Sequence, residues 1–71
     1  MTHTLLIAYR NNVNQTQTVL TDSNYQAVER AHDIALRNPR ILYIHVRNEN
    51  GILVGGYTRS LGNLTRIWNR A

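Results

Sequence analysis

DSNYQAVERAHDIALRN, residues 22–38, decides the fold. Ser23 and Gln26 stand at the S-x-x-Q spacing of a capping box, in which each side chain binds a backbone N–H left free at a helix start. Thr21 is a rival cap and would put Leu20 and Tyr25 in hydrophobic-staple positions. Asn38-Pro39 is the stop, because the residue before proline is pushed out of helical geometry. Between these limits Ala27, Val28, Ala31, Ile34 and Ala35 recur at helical spacing on one face. Gln26, Glu29, Arg30, Asp33 and Arg37 share the other. A buried face made mainly of alanine lets a helix axis lie close to a sheet, which suits one helix across a small sheet better than a bundle. Tyr25, His32 and Leu36 form an offset stripe that packs against the tail or a sheet edge, or meets a partner.

Strand signals flank the helix on both sides. His3 to Arg10 sets Leu5, Ile7 and Tyr9 against Leu6, Ala8 and Arg10; both sets are largely apolar, as in a central or doubly covered strand. Asn11 to Asn14 reads as a turn, since asparagine tolerates left-handed geometry. Gln15 to Leu20 reads as the second strand of a hairpin, polar enough for a sheet edge or a solvated face. Beyond the helix, Arg40 to Arg47 is the clearest strand. Leu42, Ile44 and Val46 are expected to face the helix, with Tyr43, His45 and Arg47 pointing away. Asn48-Glu49-Asn50-Gly51 is a hairpin signal. The favoured form is a type I turn with Gly51 in the left-handed bulge position, pairing Asn48 with Ile52; a two-residue Asn50-Gly51 turn is the rival. A one-residue slip there would exchange the faces of the next strand. The favoured register puts Ile52 and Val54 in the core and turns Leu53, Gly55 and Tyr57 outward.

The tail, residues 58–71, spaces Leu61, Leu64 and Ile67 or Trp68 as a short amphipathic helix would. The expectation is a single α+β domain over residues 1–71, of order ββαββ. It has a four-stranded, mainly antiparallel sheet, one helix on one face and a short helical C-terminal tail.

Composition excludes several function classes. At 71 residues the chain is near the lower limit for folding without staples. It has no cysteine, hence no disulfide and no thiolate metal site. Leu5 to Ala8 is too short for a signal segment or a membrane span, which places the expectation in the cytoplasm with no membrane partner. The carboxylates Asp22, Glu29, Asp33 and Glu49 form no convergent pair for acid–base work. His3, His32 and His45 lack metal-ligand spacing. Gly55-Gly56 lacks the lysine and following helix of a phosphate loop. Asn14-Gln15-Thr16 and Asn63-Leu64-Thr65 match the glycosylation pattern without a secretion signal to give it meaning. The reading is a protein that is not an enzyme, with no cofactor and no metal.

Charge points to a binding role. The net charge is +4, and all eight basic residues are arginine. Residues 1–36 hold two arginines against three carboxylates, a balance of −1; residues 37–71 hold six against one, a balance of +5. An anionic partner should meet the second half. The partner-binding set expected there is Tyr43, His45, Arg47, Tyr57, Arg59, Arg66 and Arg70, on the sheet face away from the helix and along the tail. Tyrosine and arginine stack on bases and hold phosphates, and they dominate protein interfaces. The competing readings are that Leu64 and Trp68 of the tail bury this face, or that a homodimer closes sheet on sheet.

The run from Val19 through the helix to IHVRNENGILVGGYTRS (Ile44–Ser60) resembles small phage and mobile-element proteins of ββαββ build, in particular anti-CRISPR proteins that act on type I surveillance complexes. The resemblance covers residues 4–60 and is one of element order and size. It implies stoichiometric binding to a host protein complex such as a CRISPR surveillance complex, in the cytoplasm of the infected cell. No site residue transfers, because no motif matches position by position. The arginine-rich second half departs from the acidic, DNA-mimicking members. The other expectations are direct nucleic-acid binding by an accessory or regulatory protein, and a homodimeric assembly module.

Overall fold

The computed structural model describes residues 1–68, with the side chain of Trp68 left aside. Six elements follow one another: β1 (Thr2–Tyr9), β2 (Asn14–Leu20), α1 (Asn24–Arg37), β3 (Ile41–Arg47), β4 (Leu53–Ser60) and β5 (Asn63–Trp68). The strands form one antiparallel sheet in the order β2-β1-β3-β4-β5. The α+β class and the single helix between the second and third strands stand as expected. The sheet has five strands where four were expected.

The helix explains the strand order. Since β2 and β3 both run antiparallel to β1, on its two sides, they are parallel to each other. A hairpin cannot join parallel strands, so the chain crosses over β1 through α1. The start of α1 uses the Ser23–Gln26 pair read from the sequence, with the return bond falling one residue before the N-cap. Ser23 Oγ accepts from the Gln26 N–H at 3.0 Å, and Gln26 Oε1 accepts from the Asp22 N–H at 2.6 Å. Thr21, the rival cap, is instead buried against His3. The His3 ring is fully buried between Thr21 Oγ1 (2.6 Å from Nδ1) and Asn24 Oδ1 (2.8 Å from Nε2). Oδ1 can only accept, so Nε2 carries a proton, and the ring ties β1 to the first residue of the helix.

The core lies between α1 and one face of the sheet. Ala27, Val28, Ala31 and Ala35 come from the helix; Leu5 and Ile7 from β1; Ile41, Ile44 and Val46 from β3; and Tyr57 from β4. Full burial of each large aliphatic side chain contributes about 1.5–3 kcal/mol. Ile34 packs at the margin. Leu42 was expected in this layer and is instead exposed. The reason is a register shift: Ala8 pairs with Tyr43 but Tyr9 with Ile41, so Leu42 is skipped and Ile41 takes the core position.

A second bulge decides the faces of β4. The favoured turn forms: the Asn48 N–H donates to Ile52 O at 2.9 Å, the Gly51 N–H donates to Asn48 O at 3.0 Å, and Gly51 has φ of 77°. Beyond it, Arg47 pairs with Leu53 but Val46 with Gly55, which leaves Val54 unopposed. That extra residue reverses the alternation. Gly55 and Tyr57 turn toward the helix, Val54 packs at the edge of the core, and Ile52 is exposed. The outward orientation expected for Tyr57 is thereby corrected.

The tail is a strand and not a helix. Leu61 (φ 51°) and Gly62 (φ 83°) both lie in the left-handed region and close a two-residue hairpin between β4 and β5. The spacing of Leu61, Leu64 and Ile67 imitates a helix, but Leu61 is the turn itself, 99% exposed. β5 extends the sheet beside β4, and Leu64 packs against the core on the helix side. The described part of the tail therefore does not fold over the other face, and the side chain of Trp68, which the competing reading also invoked, lies outside the described residues. No helix among the described residues is long and apolar enough to cross a membrane.

Candidate functional site

One face of the sheet is covered by α1; no described element lies over the other. The ladders place its residues in two transverse rows. One runs Thr16, Leu6, His45, Gly56, Ile67; the next runs Asn14, Ala8, Tyr43, Thr58, Thr65. β3, the middle strand of five, thus puts Tyr43 and His45 at the centre, with Arg47 beyond them. Their rings touch at 4.5 Å between centroids, tilted by 33°. Both are half-buried by their neighbours.

Glycine opposite His45 keeps this region flat. A Cβ on Gly56 would stand 2.1 Å from the Ile44 carbonyl oxygen, so only glycine permits the approach of β3 and β4 here. The row then has no side chain between His45 and Ile67. The face also has a chemical bias: none of the five strands contains an aspartate or glutamate. All four carboxylates sit in α1, before it, or in the β3–β4 turn.

Burial, and then the positive charge of Arg47, hold the His45 imidazole below its ordinary value of 6.5. At neutral pH it therefore offers one N–H and one lone pair rather than a charge. Arg47 is exposed, and its Nη1 donates to Gly51 O at 2.9 Å, which orients the guanidinium along the turn. The trio can stack on a planar group and hold an acceptor beside it. Among the described residues no group of three or more His, Cys, Asp or Glu could hold a metal ion.

The structure divides the expected set of contacts. Tyr43, His45 and Arg47 are brought together on the open face. Tyr57 lies on the covered face, its ring stacked on His32 at 4.6 Å. Its hydroxyl accepts from Arg66 Nε at 2.7 Å, and Arg66 also binds Glu29 through Nη2. The Arg66 guanidinium lies 5.4 Å from the Tyr57 ring centroid and 5.8 Å from that of Tyr25. The offset helix stripe thus packs against β4 and β5 through Tyr25 and His32, while Leu36 stays exposed. Glu29, from the helix face opposite the apolar one, is part of this cluster.

Arg59 also faces the helix. It donates from Nη2 to Ala35 O (2.7 Å) and from Nη1 to Ile41 O (2.7 Å) and Asn38 O (3.1 Å). Ala35 O is a carbonyl of the last helical turn, Asn38 O belongs to the C-cap residue and Ile41 O opens β3, so Arg59 caps the helix end from another strand and ties it to β3. Arg70 lies outside the described residues. Leu6, Gly56 and Ile67 complete the open surface and were not singled out from the sequence. Leu6 was legible as the apolar second face of the first strand; Ile67 was hidden by the helical reading of the tail.

No protein-family model, curated protein or solved structure matches the chain.

Proposed function

We propose that the chain is a non-enzymatic binding protein whose working surface is the open sheet face centred on Tyr43, His45 and Arg47. One observation carries the reading: a five-stranded face that no described element covers, free of carboxylates, with an aromatic pair at its centre and a guanidinium beyond it at the end of β3. Aromatic and arginine side chains are the residues that interfaces use as anchors. The partner class is a host protein–nucleic acid complex, engaged stoichiometrically in the cytoplasm. A phage-borne inhibitor of a CRISPR surveillance complex is the form of this role that the ββαββ resemblance supports.

A tagged pull-down from bacterial lysate tests it, run with and without nuclease and beside the double substitution Tyr43→Ala, His45→Ala. A defined complex that survives nuclease and is lost with the double substitution supports the reading. Recovery unchanged by the double substitution contradicts it. Recovery of the chain alone would favour the homodimeric assembly module.

The second reading is direct nucleic-acid binding, favoured by the absence of carboxylates from every strand. It predicts a steep fall of affinity with salt, because each phosphate contact releases counterions. Recovery that vanishes with nuclease, together with that salt slope, would select it.

A further inference from the structure

At the end of the sheet where α1 stops, two arginines face a shared pocket. The Arg10 N–H donates to Arg40 O at 2.9 Å, so the two residues sit side by side, just past the end of β1 and just before the start of β3. Their side chains line one open pocket with Tyr9, Asn11 and Pro39. Both are exposed, and neither guanidinium has a partner among the described residues. The helix end does not need them, because Arg59 already binds its terminal carbonyls. No carboxylate lines the pocket. Asp22 and Glu49 lie toward the opposite end, at the start of the helix and in the β3–β4 turn.

The walls are fixed. Tyr9 packs against the core, and its hydroxyl donates to Gln15 Oε1 at 2.8 Å. Asn11 Oδ1 accepts from the Val13 N–H at 3.2 Å, which leaves the Asn11 amide NH2 free among the described residues. Two adjacent cations with no counterion repel each other and raise the local anion concentration. Guanidinium groups bind phosphate oxygens bidentately, and a fixed aromatic–proline wall suits a flat base or a sugar.

We propose that this pocket is a nucleotide-phosphate site, with Arg10 and Arg40 holding the phosphate, the Asn11 amide donating to it, and Tyr9 with Pro39 flanking the nucleoside. The ligand is a free nucleotide or the phosphate of a nucleic-acid strand, which share this chemistry. The site is independent of the open face: its binding can be absent with the face reading intact, and the reverse.

The test uses the full chain, nitrogen-15 labelled and titrated with adenosine, adenosine 5′-monophosphate and a short oligothymidylate. The monophosphate should move the backbone and Nε resonances of Arg10 and Arg40 and the side-chain amide of Asn11; adenosine should move them far less. The double substitution Arg10→Gln, Arg40→Gln should weaken the monophosphate about tenfold or more at an unchanged thermal midpoint. Tighter binding of the oligothymidylate than of the monophosphate identifies a nucleic-acid strand as the source, and the reverse identifies a free nucleotide. Equal shifts with adenosine and its monophosphate overturn the proposal. So do shifts confined to the open face, no shift at all, or binding undiminished by the double substitution.

Discussion

Beneath α1, Tyr57 stacks on His32, Arg59 holds helix-end carbonyls and Arg66 binds Glu29 and the Tyr57 hydroxyl. On the opposite face Tyr43, His45 and Arg47 are the same residue types with no helix to serve. Residue type alone thus does not separate an arginine that serves the fold from one left on an open face. Here the separation is made by Val54, the unopposed residue that turns Tyr57, Arg59 and Arg66 toward the helix.

The largest expected effect breaks the geometry on which both faces depend. Gly56→Ala must move the backbone of Ile44 or β4 itself, from a φ of 154° that side chains rarely adopt. We expect a loss of more than about 3 kcal/mol in chemical denaturation. Next comes the covered face. Arg59→Ala removes the donor from the helix-end carbonyl of Ala35 and from Ile41 O at the start of β3, and should cost about 2 kcal/mol. Arg66→Ala removes an ion pair that is about a third exposed and should lower the thermal midpoint less than Arg59→Ala does. Arg47→Ala should leave the thermal midpoint nearly unchanged, which sharpens the contrast between faces.

A smaller change of opposite sign belongs to the β4–β5 turn. Leu61 is a bulky residue held at φ of 51° and almost wholly exposed, so Leu61→Asn should stabilise by up to about 1 kcal/mol. The smallest effect is a pH slope from the open face. His45 titrates below 6.5 in the folded chain, so the unfolded chain binds the proton first as pH falls. Stability present above the unfolded value is lost as pH falls from about 6.5 through the lowered folded value. His45→Gln should remove that part of the slope, and Arg47→Ala should raise the His45 midpoint in an NMR titration.

Much of the covered layer was legible because it rests on local signals. Ser23 and Gln26 form the cap, Ala27, Val28, Ala31 and Ala35 form the buried helix face, and Gly51 takes the bulge position of its turn. The polar strand from Gln15 is a sheet edge, and Tyr43, His45 and Arg47 point away from the helix. The errors at Leu42 and Tyr57 share one physical cause: strand bulges are set by pairing with a neighbour and leave little trace in a single strand. Ile41 displaces Leu42 because of how β1 meets β3, and Tyr57 changes faces because of how β3 meets β4. The tail failed for a different reason. Leu61-Gly62 is a weak turn signal, since leucine rarely enters left-handed geometry, and the leucine spacing imitated a helix. With the tail misread, Arg66 could not be matched to Glu29.

Whether the open face binds while the arginines under the helix hold the fold is decided by a paired measurement. Affinity for the recovered partner and the thermal midpoint are compared for Tyr43→Ala with His45→Ala and for Arg59→Ala. The first should lose affinity at a nearly unchanged midpoint, and the second should lose midpoint while its folded fraction binds normally. Full affinity in the first, or lost affinity at an unchanged midpoint in the second, would contradict this.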